Sequence, residues 1–245
     1  LFRIELDPAG AYADAHAVLT ELLELDDQDP VAYDLRASAS VALEKPDDAV
    51  ADMRKAVELA PQNADYLVSL GVALEHGHNE NEARVHYNSA LQIDENNARA
   101  HRLLGTLLRK EFTLQEALMH HQKAANLAPD DGSNWYELGI TQNAGGDNLG
   151  AEESLKKATE IDTESSITWY VYGEVERNLK KYKEAIAAYK KSLALPNPYP
   201  KAASKLGLVL FYDGQYAEAE VFLTDLVRKD GKNSQALFNL GFVYG

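Results

Sequence analysis

Cysteine is absent from this sequence of 245 residues. Its absence excludes disulfide bonds, metal sites with thiolate ligands and a cysteine nucleophile. It does not assign a compartment, because disulfides are only one mark of an oxidising environment. We expect a cytoplasmic location and leave a periplasmic one open.

Long apolar runs and an excess of basic residues are also missing. No run approaches the roughly 18 apolar residues of a membrane-spanning helix, so no membrane insertion is expected. Acidic residues outnumber basic ones by 39 to 24, which gives a net charge of −15 and disfavours binding to nucleic acid. No basic and apolar leader follows Leu1, so we expect any targeting signal to have been removed or to lie outside this sequence.

Tryptophan is scarce, and its two occurrences reveal a repeat. Trp135 and Trp169 are 34 residues apart, and each precedes a glycine by four residues, Gly139 and Gly173. The same interval relates further glycines, at Gly71, Gly105, Gly139, Gly173, Gly207 and Gly241. It also relates a set of alanines, at Ala15, Ala49, Ala83, Ala117, Ala151, Ala185 and Ala219. The chain is therefore expected to consist of 34-residue units.

A 34-residue unit of this kind resembles the tetratricopeptide repeat (TPR), a helix–turn–helix module. The residues that match its signature in type and spacing are Pro129, Trp135, Leu138, Gly139, Ala151 and Ala158. The resemblance implies an all-α fold, a right-handed α-solenoid of antiparallel helix pairs or TPR superhelix, in which stacked units share one core. We predict a single array over 1–245, with a partial unit 9–29, full units 30–63, 64–97, 98–131, 132–165, 166–199 and 200–233, and a partial unit 234–245.

Local signals within the units lead to four structural expectations. Each glycine of a first helix should contact the alanine of the second helix, as Gly139 would contact Ala151, so that the two backbones approach closely. Trp135 and Trp169 are interpreted as core wedges between units. The helices should begin after side chains that cap them well, at Asn63, Asn97, Asp131 and Ser165. The stretch "PNPYP" at 196–200 is interpreted as a stiff turn, since the repeat continues through it.

The resemblance implies that a partner is held on a concave surface formed mainly by the first helices. The inward positions carry a basic cluster and a ladder of aromatic residues. The candidate partner-binding residues are Arg99, Arg102, Arg109, Lys110, Tyr136, Ile140, Tyr170, Arg177, Phe211, Tyr212 and Phe238. Together they suit a protein or peptide partner with acidic and apolar residues. The alternative is that the bases pair with acidic neighbours and the aromatic rings only pack.

One ligand known for the resembling family is not predicted. TPR co-chaperones hold the terminal carboxylate of heat-shock chaperones with lysines, asparagines and an arginine. Lys201 and Lys205 match one pair of those bases, but the asparagines have no counterpart.

Catalytic and metal-binding chemistry is not expected. The seven histidines lack the spacing of three or four converging zinc ligands, and neighbours such as His120 and His121 point apart on a helix. No phosphate-binding loop, nucleophile elbow or dinucleotide fingerprint occurs. We therefore predict no enzyme activity, no metal and no cofactor.

The function expected from this pattern is that of an interaction scaffold or adaptor. One alternative is a substrate-recruiting TPR arm of a larger enzyme such as a glycosyltransferase, because the sequence stops at Gly245 inside a predicted helix. Another is self-association through the ends of the array. The apolar residues of the last helix are Leu237, Leu240, Phe242 and Val243. We expect another chain or a following segment to cover them.

Overall fold

The protein folds as a succession of α-helices. The structure, a computed structural model, describes residues 8–244, with side chains from residue 10 onward. Within this range it contains fourteen helices and no β-strand. The predictions for residues 1–7 and for Gly245 lie outside the described residues.

The chain divides into two compact units, Leu1–Leu127 and Ala128–Gly245. The helices of the first unit are α1 (Pro8–Leu25), α2 (Pro30–Ala42), α3 (Pro46–Leu59), α4 (Ala64–His76), α5 (Glu80–Ile93), α6 (Ala98–Lys110) and α7 (Leu114–Leu127). Those of the second are α8 (Gly132–Ala144), α9 (Asn148–Ile161), α10 (Ser166–Asn178), α11 (Tyr182–Ala194), α12 (Lys201–Tyr212), α13 (Tyr216–Lys229) and α14 (Ser234–Tyr244). The single array over 1–245 stays a prediction.

Side-chain caps start the first helices where the sequence predicts them. Asn63 accepts a hydrogen bond from the backbone N–H of Asp65 at 3.0 Å, and Asn97 accepts one from Ala100 at 2.8 Å. Asp131 and Ser165 cap α8 and α10 in the same way. Each bond satisfies an N–H group that the helix itself leaves unpaired, so all four predicted caps are confirmed.

In five first helices, the residue nearest to a Cβ added at the glycine is not the predicted alanine. A Cβ atom on Gly139 would lie 2.6 Å from Cγ of Leu155, and the nearest atoms all belong to Leu155 rather than to Ala151. Tyr87 covers Gly71 in the same way. The covering residues repeat every 34 positions and are Tyr87, His121, Leu155, Tyr189 and Leu223. Glycine is needed because a large side chain of the second helix occupies the space of its Cβ.

The alanines lie in the core, with one exception. Six are fully buried, namely Ala49, Ala83, Ala117, Ala151, Ala185 and Ala219. Ala15 is exposed on α1. Burial of this small residue lets the two helices of each pair approach closely, as in α4 with α5 and α8 with α9.

The two tryptophans are half-buried, so the prediction that they are core wedges is wrong. The indole N–H of Trp135 donates to the carbonyl of Pro129 at 2.8 Å, and that of Trp169 donates to Thr163 at 3.1 Å. The ammonium group of Lys157 lies 4.2 Å from the centre of the Trp135 ring. An indole needs a partner for its N–H, which holds each ring beside the turn that precedes its own helix.

A residue with positive φ occupies the same place in each turn between the two helices of a repeat. These residues are Glu44, His78, Phe112, Gly146, Lys180 and Gly214, with φ values between 57° and 85°. They are again 34 positions apart. Only two of them are glycine, so the geometry of the turn is kept even where the residue type does not favour it.

Two further features concern the ends of elements. The second unit continues through the turn at residues 195–200, between α11 and α12. On α14, Leu237 and Phe242 are exposed, whereas Leu240 and Val243 are half-buried.

No helix within residues 8–244 has both the length and the apolar character needed to cross a membrane.

Candidate functional site on the first helices

The predicted partner-binding residues lie in both compact units, and each unit is described by itself. In the first unit they form the basic cluster, Arg99, Arg102, Arg109 and Lys110, all on α6. In the second unit they are Tyr136, Ile140, Tyr170, Arg177, Phe211, Tyr212 and Phe238, on α8, α10, α12 and α14.

The basic cluster gives α6 a charge opposite to that of the whole chain. The helix carries four cationic side chains and no acidic one, whereas the chain has a net charge of −15. Arg99 is exposed, and Arg102 is half-buried. Within the described part of the chain, the buried Nε atom of Arg102 has no hydrogen-bond partner. A partly shielded guanidinium of this kind can bind a carboxylate more strongly than a fully hydrated one.

Lys110 takes part in an internal network. Its ammonium group lies 3.2 Å from a carboxylate oxygen of Glu75. The hydroxyl of Tyr87 donates to the other oxygen of Glu75 at 2.7 Å. Burial, and then this hydrogen bond, raise the pKa of the Tyr87 hydroxyl far above its ordinary value. For Lys110, the interpretation that a base pairs with an acidic neighbour therefore holds.

A neutral histidine, His121 of α7, packs against α6. The His121 ring covers Gly105, and its Nε2 atom lies 3.2 Å from the carbonyl oxygen of Arg102. Burial and, after it, the nearby charge of Arg109 together lower the pKa of His121 to about 4. At neutral pH the ring therefore carries no charge and donates its Nε2 proton to that carbonyl.

In the second unit, Tyr170 packs among other tyrosines. The centre of its ring lies 4.6 Å from that of Tyr199 and 6.0 Å from that of Tyr189. Burial raises the pKa of Tyr170 to about 12. Its neighbour Tyr199 belongs to the turn at 195–200, so this turn contributes a ring to the surface.

Arg177 is committed to a network around Glu174. Its guanidinium donates to a Glu174 carboxylate oxygen at 3.0 Å, and the Lys205 ammonium lies 3.1 Å from the same oxygen. The hydroxyl of Tyr189 donates to the other oxygen. Burial and the adjacent Glu174 carboxylate raise the pKa of Tyr189. Besides Arg177, the network has the same three kinds of member as the one at Glu75: a carboxylate, a buried tyrosine and a lysine from the following repeat.

An aromatic patch, Phe211, Tyr212, Phe238 and Phe242, joins α12 to α14. The Phe211 ring lies 5.9 Å from Tyr212 and 5.5 Å from Phe242, and Phe238 lies 6.5 Å from Phe242. Phe238 is 66% exposed and Tyr212 is 44% exposed. An open groove of about 550 Å³ runs along the patch. The grouping of these exposed rings makes the patch a candidate interaction surface.

The two remaining candidates are less accessible. Tyr136 and Ile140, on α8, are both half-buried. Tyr136 packs against the buried cluster of Ala151, Leu155 and Val175. Part of the predicted aromatic ladder is therefore core packing, whereas the aromatic patch is open.

The structure also adds residues that the sequence prediction omitted. A cavity of about 160 Å³ lies among α2, α4 and α6, with Arg99 in its wall. Asp34, Ser38 and Val41 of α2 line it too. They are 34 positions before Val68, Val72 and Glu75, so the repeat itself could have identified them. Among residues 8–244, no group of three or more His, Asp or Glu side chains could hold a metal ion.

Sequence-family comparison agrees with these helix pairs. The tetratricopeptide repeat models match residues 35–98 and 167–198, one segment in each compact unit. The chain contains tetratricopeptide repeats. A TPR repeat-containing protein of Dictyostelium discoideum is 32% identical to it over 120 residues, which are 46% of each chain. The TPR chain spans less than half the length of the curated relatives it matches.

Solved structures show the same TPR fold, an α-solenoid of antiparallel helix pairs. A chain of the APC/C hetero-tetramer Cut9–Hcn1 superposes with a TM-score of 0.77 at 17% identity, over 96% of this chain and 47% of that one. YrrB, described as a TPR protein with an unusual peptide-binding site, superposes with a TM-score of 0.56 at 21% identity, over 80% and 97%. At these identities the likeness shows the fold alone. A fold of this kind is that of a protein-interaction scaffold.

Proposed function

We propose that this TPR protein holds a peptide segment of a partner protein against the first helices of its first compact unit, and that the segment carries acidic and apolar residues. The observation that carries this proposal is the basic cluster on α6, a helix with four cationic side chains and no acidic one in a chain of net charge −15. Because the surroundings are acidic, a local cationic surface selects an acidic partner.

The half-buried arginines are the expected source of affinity. A guanidinium can bind a carboxylate through two parallel hydrogen bonds. When such a pair is shielded from water, truncating one member costs about 2–5 kcal/mol, whereas an exposed pair contributes about 0–1 kcal/mol. Arg102 and Arg109 are half-buried, so they should contribute more than the exposed Arg99 and Lys110. The peptide-binding site of YrrB, which shares this fold, adds support for a peptide as the class of ligand.

The test begins with capture of partners by the immobilised chain and identification by mass spectrometry. The segment that binds is then titrated calorimetrically against the parent and against a double variant, Arg102→Glu with Arg109→Glu. We expect affinity to fall at least about tenfold. Circular dichroism and melting of each variant establish that the helices are intact. The milder pair Arg102→Gln and Arg109→Gln should give an intermediate loss.

A matched control reverses two arginines on the second helices. Arg54 on α3 pairs with Glu82 at 2.6 Å, and Arg84 on α5 pairs with Glu111 at 2.9 Å. The variant Arg54→Glu with Arg84→Glu changes the net charge by the same amount as the α6 variant, but both substitutions lie on second helices. It should leave binding almost unchanged. Equal loss in both variants would mean that the partner responds to overall charge, and the proposed site would be wrong.

A second candidate function rests on the aromatic patch of the second unit. Phe238 is the most exposed of its rings, and the groove beside it is lined almost entirely by carbon atoms. Self-association through this patch would bury those rings. Light scattering of the parent and of Phe238→Ser tests it: a concentration-dependent mass that the substitution abolishes supports self-association, whereas a monomer in both cases rejects it.

A further inference from the structure

A cavity in the first compact unit has apolar walls and a charged residue at each side. It lies among the first helices of three successive repeats, α2, α4 and α6, and has a volume of about 160 Å³. Its carbon-lined floor is formed by Ala37, Val41, Met53, Val72 and Ala73. Met53, from α3, is 1% exposed, so the floor reaches the core between the helix pairs.

The rim of the cavity is polar and has opposite charges on opposite helices. Asp34 and Ser38 lie on α2, whereas Ser69 lies on α4 and Arg99 on α6. Arg99 is exposed, and one of its terminal nitrogens is 3.5 Å from the hydroxyl of Ser69, a long contact that a stronger acceptor can replace. A ligand in the cavity therefore meets a carboxylate at one side and a guanidinium at the other.

The size of the cavity limits what can enter it. Pockets for small-molecule ligands typically have volumes of about 300–1,000 Å³. An engineered apolar cavity of about 150 Å³ in another protein accommodates one benzene molecule. A cavity of about 160 Å³ therefore accepts one apolar side chain, up to the size of leucine or phenylalanine, and not a cofactor.

We propose that this cavity is a specificity pocket for one large apolar side chain of an extended peptide, and that Arg99 binds a carboxylate side chain next to it. The optimal short motif is then leucine, one spacer residue and glutamate, because side chains two positions apart share a face of an extended peptide; the leucine lies on the floor and the glutamate towards α6. On the other side, Asp34 accepts a hydrogen bond from a peptide N–H. This inference rests on the proposed function and specifies the partner segment for it.

Charge and position favour a peptide of this composition over other occupants. Arg99 belongs to the basic cluster of α6, so an acidic residue beside the pocket continues the surface that the rest of the partner meets. Apolar anchors surrounded by polar contacts are the usual source of affinity in peptide recognition. Asp34 disfavours a second acidic residue on the α2 side, which sets the direction of the segment.

The chain carries its own reporter and its own control for this pocket. It has only two methionines. Met53 lines the floor of the cavity, and Met119 is 70% exposed on α7. With carbon-13 in the methionine methyl groups, a nuclear magnetic resonance spectrum contains one signal from the pocket and one from elsewhere.

The experiment titrates the labelled chain with the capped hexapeptide Gly-Ser-Leu-Ser-Glu-Gly up to millimolar concentration. We expect the Met53 methyl signal to move and saturate, while the Met119 signal stays in place. Replacing leucine in the peptide by alanine should weaken binding by about tenfold or more. Replacing glutamate by lysine, or Arg99 by Glu, should weaken it by about tenfold.

Two protein variants complete the test. Ser38→Phe places a ring at the exposed rim and should abolish the Met53 response, whereas Asn88→Phe on α5 adds the same ring outside the cavity and should leave it unchanged. A Met53 signal that stays in place, or that moves equally with the alanine peptide, overturns the inference. So does a response that survives Ser38→Phe.

Failure of this inference can be told apart from failure of the proposed function. If Met53 does not respond but the captured partner still loses affinity with Arg102→Glu and Arg109→Glu, the first helices bind a partner without this pocket. If the partner is also insensitive to those two substitutions, the proposed function fails as well.

Discussion

The Nδ1 atoms of His101 and His120 lie 2.8 Å apart, so one ring must donate a proton to the other. The Nε2 atom of His101 is 3.1 Å from the carbonyl oxygen of Glu95, which can only accept. His101 therefore carries its proton on Nε2 and accepts at Nδ1, and His120 is the donor. This hydrogen bond joins α6 to α7.

The histidine pair should make the stability of the first unit depend on pH. Burial lowers the pKa of both rings below the ordinary value of about 6.5. As pH falls, the unfolded chain therefore binds protons at a higher pH than the folded chain does. The stability that the neutral histidine pair contributes is complete above about pH 6.5 and is lost as pH falls below it. His120→Ala should cost about 1 kcal/mol at pH 7.5 in urea denaturation, and less at pH 5. A cost of His120→Ala that is the same at both pH values would contradict this assignment.

His121 should produce a larger effect in the same direction. Its pKa of about 4 means that the folded state stays neutral while the unfolded state becomes protonated below about pH 6.5. Between pH 7 and 5 this difference should lower the free energy of unfolding by about 2 kcal/mol. His121→Leu introduces the residue found at the equivalent positions 155 and 223, and the curve of stability against pH should become flatter. A variant as sensitive to pH as the parent would contradict the assignment.

Gly139 should tolerate no large side chain. A Cβ added to Gly139 would lie 2.6 Å from Cγ of Leu155. Gly139→Leu should therefore overpack the helix pair, reduce the free energy of unfolding by about 1–3 kcal/mol and lower the melting temperature. Gly145 is a suitable control, since its φ is −81° and an added Cβ would make only ordinary contacts. Gly145→Ala should be neutral or stabilise by a few tenths of a kcal/mol. Equal melting temperatures for the two variants would show that the helix pairing is wrong.

Glu176 should cost stability at neutral pH. Its side chain is fully buried on α10, and burial raises its carboxyl pKa, with Glu152 and Glu184 adding to the rise. For an acid with a raised pKa, the charged form is disfavoured in the folded state, so stability increases as pH falls towards about 4. Glu176→Gln should raise the free energy of unfolding by roughly 1 kcal/mol at pH 7. The two proteins should become equally stable near pH 4; a gap that persists there would show that charge is not the cause.

The features that sequence predicted are those where one residue type recurs. Glycine, alanine and the four caps keep their chemistry from repeat to repeat, so a single interval reveals them. The residues that cover the glycines are less visible because Tyr87, His121 and Leu155 share only their size. The sequence did not predict the positive φ values in the turns for the same reason. Phe112 and Lys180 adopt there a backbone conformation that is usual for glycine.

The candidate site was harder to predict because pairing depends on contacts distant in sequence. Lys110 and Arg177 look alike as inward-facing bases. Lys110 meets Glu75, 35 positions earlier, and Arg177 shares Glu174 with Lys205 from the next repeat. Nothing in the spacing of the bases alone distinguishes these committed cations from Arg99. Burial and hydrogen bonding are needed to make that distinction.

The large residues over the glycines also restrict how such a chain can evolve by duplication. Tyr87 and Tyr189 each bring a buried hydroxyl that depends on a carboxylate, Glu75 and Glu174 respectively. A second helix copied into another repeat would arrive without that carboxylate and leave the hydroxyl unsatisfied, at a cost of about 1–3 kcal/mol. Repeats that are equal in length are therefore not exchangeable parts. A change in their number is tolerated best when both helices of a pair, together with the lysine of the following repeat, move as one block.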